Sequence, residues 1–172
     1  MINRYILVFL TLFSPFCGFS QKNKGLQVLV YGYGADAYAA ALQSSMSNLN
    51  TVWLVNGESM LPELTSEYVS VGSAAGLDAG IWADLLARTL RGTKPDDSLS
   101  AVAKRRINPR IVQNIMDSVL TSRRNLTVVT SAQVQSVKKS GKAWQVELAD
   151  KRRYKVHALV DASVDGFLAR LA

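Results

Sequence analysis

The hydrophobic pattern of this chain alternates between short continuous apolar runs and segments with helical spacing. Continuous runs of this length are typical of strands that are covered on both faces. The predicted buried strands are Leu26–Tyr31, Thr51–Val55, Leu126–Thr130 and His157–Asp161. The predicted helices are Asp36–Ser47, Asp78–Leu90, Pro109–Leu120 and Gly166–Leu171. Strands that alternate with helices in this way predict an α/β fold built on a doubly wound parallel sheet.

Three further strands and two irregular stretches complete the pattern. Strands with turn residues between them are expected at Ala132–Lys138, Ala143–Leu148 and Arg153–Val156, and this spacing predicts an antiparallel three-stranded meander. Asn56–Ser73 is rich in polar residues and is predicted to be a loop, and Thr93–Ile107 is predicted to be a surface linker with a short helix. Asn108 and Pro109 have the residue types of a helix N-cap and first turn.

The first predicted strand runs into a glycine turn with the spacing G-x-G-x-x-A-x-x-x-A. Gly32 permits the tight turn, and Gly34 lets the backbone approach a pyrophosphate at the N-terminus of the next helix. Ala37 and Ala41 let that helix pack closely on the sheet. The same small residues also suit a strand–helix–strand unit that binds no ligand, so the motif leaves both interpretations open.

The first twenty residues have the pattern of a secretory signal peptide. Arg4 supplies a positive charge, and the apolar run Tyr5–Phe13 is too short to span a bilayer. We therefore expect export to the periplasm and a single domain over residues 21–172, without a transmembrane segment.

Composition narrows the candidate chemistry. Cys17 lies within the predicted signal peptide and His157 is the single histidine, so we expect no metal centre and no thiol nucleophile. No serine has a histidine base in register, and we predict no catalytic residue. Residues 21–100 carry five Lys/Arg and eight Asp/Glu, whereas residues 101–172 carry fourteen and five. The basic half suits an anionic partner or solvated loops, and the expected export argues against nucleic acid.

The ordered set of elements resembles the amino-terminal FAD-binding domain of FAD-dependent oxidoreductases. The likeness covers residues 26–172 and is carried by two motifs, Gln27–Ala41 and Val160–Gly166. These are similar to "DVLVVGGGPAGVAAA" and "VIDATGD" in an exported bacterial branch of that family. The resemblance implies FAD as the cofactor, with Gly32, Gly34, Ala37 and Asn56 as the residues that would bind it.

Four departures from the family pattern bear on function. Asn56 stands where an acidic residue would bind the ribose hydroxyls, and Glu58 could substitute only if the loop bends back. The segment Glu58–Ser73 replaces a glycine-rich loop, and Val164 replaces a glycine that allows close backbone approach. The family's second, substrate-binding domain has no counterpart in these 172 residues.

These departures favour a non-catalytic interaction subunit without a bound cofactor. In class and length, though not by motif, such a protein is similar to the plug subunit of the type IX secretion translocon, and this resemblance implies an outer-membrane protein complex as its partner. The alternative is the FAD-binding part of a working oxidoreductase. A module that binds NAD(P) is a third hypothesis, which is weaker because no Arg or Lys adjoins Asn56.

Overall fold

The computed structural model describes residues 25–66, 69–70, 80–89 and 106–172. The predicted signal peptide and most of the predicted linker 93–107 lie outside the described residues. The strands are β1 Val28–Gly32, β2 Thr51–Leu54, β3 Val69–Ser70, β4 Arg106–Ile107, β5 Leu126–Val129, β6 Val134–Ser140, β7 Ala143–Leu148, β8 Arg153–Val156 and β9 Ala158–Ala162. The helices are α1 Ala35–Met46, α2 Pro62–Thr65, α3 Gly80–Thr89, α4 Pro109–Thr121 and α5 Phe167–Leu171.

The predicted fold class is confirmed. Four parallel strands form one sheet in the order β5-β2-β1-β9, and β6, β7 and β8 form the antiparallel meander. In the parallel sheet, Val28 pairs with Thr51 on one side and with Ala158 on the other. β2 and β5 thus lie on one side of β1, and β9, which comes later in the chain, pairs with its other side. This strand order is typical of a dinucleotide-binding fold.

The two faces of the parallel sheet are covered by different elements. Val28 and Val30 of β1 lie in a core with residues of α1, α2, α3 and α4. Leu29 and Tyr31 point to the opposite face and pack with the meander and α5. Because successive strand residues alternate between faces, one continuous apolar strand serves both cores.

The stretch after β2 differs from its prediction. The sequence predicts a loop over Asn56–Ser73, but the described part of this stretch contains helix α2 and the short strand β3, which pairs with β4. Pro62 is the first residue of α2, a position where the missing N–H has no partner within the helix in any case. Proline therefore opens a helical turn here instead of marking a loop.

Candidate functional site

Gly32 lies at the carboxyl end of β1, where the backbone of β9 passes very close. It has φ +132°, and a Cβ built on it would collide with the Ala162 carbonyl and stand 3.0 Å from the Ser163 nitrogen. The buried Trp53 Nε1 donates a hydrogen bond of 3.0 Å to the Gly32 carbonyl oxygen. Glycine is therefore needed at position 32 for two reasons, the tight turn and the close approach of the neighbouring strand β9.

Helix α1 packs closely on the sheet through two alanines. Ala37 and Ala41 are both 0% exposed, and α1 contacts β1, β2 and β9. This packing places the N-terminus of α1 at the carboxyl ends of β1 and β9. The strand order reverses between these two strands, and ligands of open α/β sheets bind at such a point.

The backbone of Gly34, Ala35 and Asp36 forms the N-terminal end of α1, which we call the glycine cradle. Within the described part of the chain, no side chain caps this helix end. The first N–H groups of an α-helix have no partner inside the helix, and the helix dipole favours an anion there. Gly34 itself has φ +92° and donates its N–H to the Met60 carbonyl oxygen at 2.8 Å.

A carboxylate of the same chain stands against the glycine cradle. A Cβ built on Gly34 would collide with Glu63 Oε1 and lie 3.2 Å from Glu63 Cδ. Glu63 is the second residue of α2 and its side chain is exposed. In this conformation a flexible, negatively charged side chain of the protein therefore lies against Gly34 of the cradle.

The segment between β2 and α2 lies across the glycine turn. In addition to the Gly34–Met60 bond, a Cβ on Gly57 would stand 2.8 Å from Cγ of the exposed Tyr33 ring. Leu61 and Leu64 are buried in the same core as Ala37. These contacts position Glu63 by fixing the short helix that carries it.

Asn56 follows β2 at the edge of the site. Its side chain is exposed and shares a hydrogen bond with the Tyr31 hydroxyl. Burial raises the pKa of Tyr31, the bond to Asn56 opposes this, and the charges of Asp165 and Asp161 add to the increase. Tyr31 is therefore a neutral hydroxyl group at physiological pH.

The segment after β9 is organised by Asp161 and Ser163. Asp161 Oδ1 accepts hydrogen bonds from Ser163 N at 3.1 Å and Ser163 Oγ at 2.6 Å, and Oδ2 accepts one from Ala169 N at 2.9 Å. Ser163 Oγ accepts the N–H of Phe167 at 2.8 Å. Both side chains thus hold the start of α5, while Val164 is 93% exposed.

The comparison with known families gives a match along nearly all of the described chain. The family model described as FAD dependent oxidoreductase matches residues 27–172. The chain belongs to this family. A comparison with curated protein sequences found no significant match.

Solved structures with a similar fold share only low sequence identity with this chain. They include p-nitrophenol 4-monooxygenase PnpA from Pseudomonas putida DLL-E4, with a TM-score of 0.54, 16% identity and coverage of 81% of this chain and 41% of that one. Bacillithiol disulfide reductase Bdr from Staphylococcus aureus has a TM-score of 0.53 at 15% identity, with coverage of 81% and 38%. HlmI has a TM-score of 0.53 at 14% identity, with coverage of 82% and 35%. The chain therefore spans less than half the length of these proteins, and the likeness shows the fold.

In this FAD dependent oxidoreductase domain, the start of α1 beside Gly32 and Gly34 is where a dinucleotide would bind. The uncapped N–H groups of α1 would hold the pyrophosphate and Asn56 would reach a ribose hydroxyl, whereas FAD itself would supply the redox chemistry. Glu63 is the obstruction to this arrangement. Because its carboxylate is the end of an exposed side chain, rotation of that side chain clears the cradle without moving the backbone.

The structure brings Gly32, Gly34, Ala37 and Asn56 to one edge of the sheet, at the carboxyl ends of β1 and β2 and the start of α1.

The sequence did not point to Glu63 as a residue of this site. A proline followed by an acidic residue is typical of a first helical turn, and this signal could have placed Glu63 on a helix.

Within the described residues, no group of three or more candidate metal ligands occurs and no helix has the length and apolar character to cross a membrane.

Proposed function

We propose that residues 27–172 are the FAD-binding part of an FAD-dependent oxidoreductase. The observation that carries this proposal is the uncapped start of α1 beside Gly32 and Gly34, at the point where the parallel sheet reverses its strand order. The family match supports the same cofactor. FAD would supply the redox chemistry, and we assign recognition of the substrate to protein outside this domain.

Equilibrium dialysis against FAD, with riboflavin as the matched ligand, tests this proposal. Riboflavin has the same ring system but lacks the pyrophosphate and adenosine that the glycine cradle and Asn56 would hold. The folded protein is expected to concentrate FAD well above riboflavin, and the visible flavin bands report the bound amount. Equal distribution of both ligands, in the native protein and in its Glu63→Ala variant, would overturn the assignment.

A second candidate function is a non-catalytic exported subunit, as the sequence departures predict. Two features favour it: the exposed Val164 in place of the family's glycine, and the Glu63 carboxylate in the glycine cradle. Under this proposal residues 1–20 are a signal peptide and residues 21–172 are a periplasmic domain. Its partner is an outer-membrane complex, with a plug-type role as in the type IX secretion translocon.

Fractionation of the native host tests this second candidate. Sequencing of the mature N-terminus is expected to begin near Gln21, and the protein is expected to co-purify with a detergent-solubilised outer-membrane complex. An uncleaved chain, or a pool that is entirely free and monomeric, contradicts the proposal.

A further inference from the structure

Glu63 is held toward the glycine cradle by the packing of its own short helix. Its neighbours Leu61 and Leu64 are buried, 1% and 5% exposed, in the core that also contains residues of α1. Thr65 Oγ1 donates a hydrogen bond of 2.8 Å to the Leu61 carbonyl oxygen, and Thr65 Oγ1 also lies 3.0 Å from Ser59 Oγ. The backbone of α2 is therefore anchored, and the carboxylate of Glu63 reaches the cradle from a fixed base.

The Glu63 carboxylate and a pyrophosphate suit the same place for the same reason. Both are anions, and the start of α1 combines the positive end of the helix dipole with N–H groups that no side chain of the described residues caps. The space beside Gly34 is small enough that even a single Cβ would collide with Glu63 Oε1. Two anionic groups cannot share this space, because they would overlap and repel each other.

We propose that Glu63 is an internal competitor for the dinucleotide phosphate. In this conformation its carboxylate lies against Gly34 of the glycine cradle, and binding of a pyrophosphate requires this side chain to rotate outward. This inference rests on the proposed FAD-binding function and assigns to that site a built-in regulator of affinity. It also explains how one domain has both the backbone of a dinucleotide site and a closed cradle.

Titration with ADP is the direct test, since ADP carries the pyrophosphate and ribose without the flavin. Glu63→Ala is expected to bind ADP about five- to tenfold more tightly than the native protein, because the competing anion is removed. Glu63→Gln keeps the shape but removes the charge, and a smaller gain is expected. Glu63→Asp keeps the charge but is one methylene shorter, so a gain here identifies occupancy of the cradle as the cause.

The control is Asp117→Asn, which removes one negative charge from the exposed face of α4. In the native protein Asp117 accepts a hydrogen bond from the Gln113 side-chain amide. Its ADP affinity is expected to equal that of the native protein. Equal, measurable ADP binding by native protein and Glu63→Ala overturns the competition and leaves the proposed function standing. Absence of ADP binding in every variant overturns the competition, and absence of FAD binding in the dialysis overturns the proposed function as well.

A measurement without ligand separates these failures from a loss of structure. In ¹⁵N-labelled protein, the amide signals of Gly34 and Ala35 are expected to shift in Glu63→Ala and to stay unchanged in Asp117→Asn. Shifted signals together with a native circular dichroism spectrum show that Glu63 contacts the cradle in the folded domain. Unshifted signals would show that the carboxylate lies elsewhere, and this result also overturns the competition.

Discussion

Gly32 is the position in the glycine turn where a side chain would meet the fixed backbone of a neighbouring strand. A Cβ there would collide with the backbone carbonyl of Ala162, and its φ of +132° is one that L-residues rarely adopt. We expect Gly32→Ala to lower the free energy of unfolding by about 2–4 kcal/mol, from strain and overpacking together. Urea denaturation followed by far-UV circular dichroism measures this change.

Gly141 provides a matched control for that substitution. It also has a positive φ, +62°, but a Cβ built on it would meet nothing within 4 Å. Gly141→Ala should therefore lower the free energy of unfolding by about 1 kcal/mol, from the strain of a side chain at positive φ alone. If both substitutions cost the same, the close approach of β9 is not what requires glycine at position 32.

Among the elements, helix α4 begins with a side-chain cap. The Asn108 side chain accepts the N–H of Arg110 at 3.0 Å, and Pro109 occupies the first helical position. Asn108→Ala should lower the free energy of unfolding by about 1 kcal/mol, because that N–H loses its acceptor. Asn108→Asp keeps a side-chain oxygen in place and should cost much less in the same chemical denaturation. Similar losses in both variants would argue against the cap.

The segment from β9 to α5 depends on the charge of Asp161. Burial raises the pKa of Asp161, but hydrogen bonds from Ser163 and from the N–H groups of Ala169 and Leu168 outweigh this and hold the pKa below its ordinary value. The carboxylate thus stabilises the folded state fully above the ordinary aspartate pKa, about 3.9. This contribution is lost as the pH falls through the lower pKa of the folded state.

Asp161→Asn should therefore reduce stability at neutral pH and make stability less sensitive to acid below about pH 4. Thermal unfolding measured from pH 7 to pH 2 checks both effects. Asp117→Asn, on the exposed face of α4, is the charge-matched control and should leave the difference between neutral and acid stability close to that of the native protein. If thermal stability falls equally steeply below pH 4 in Asp161→Asn and in the native protein, this carboxylate does not have the role given to it.

The elements with strong patterns could be predicted from the sequence, and those fixed by tertiary contact could not. The runs at β1 and β2, the cap at Asn108 and the bounds of β7 and β8 follow from local residue types and alternation. Helix α2 is only four residues long, Pro62–Thr65, and its stability comes from burying Leu61 and Leu64. The contact of Glu63 with Gly34 depends on that packing, so the residue pattern alone gave no sign of it.

At the scale of the whole molecule, one parallel sheet separates two hydrophobic cores. Trp53 lies fully buried in the core on the helical face, and Trp144 packs against the core on the meander face. Neither core can form without the strands β1 and β2, which supply alternate residues to both. The meander therefore has no separate sheet to stack on, and its stability depends on the parallel sheet.

This shared sheet predicts that both faces unfold in a single transition, as is usual for a domain of this size. The chain has three tryptophans, so replacing two of them by Phe leaves either Trp53 or Trp144 as the fluorescent probe. In each variant, the urea transition seen by fluorescence should superimpose on the transition seen by far-UV circular dichroism. A Trp144 transition at lower urea than the circular dichroism change would show that the meander detaches first. The parallel sheet would then be stable with one face uncovered, contrary to the dependence of both cores on it.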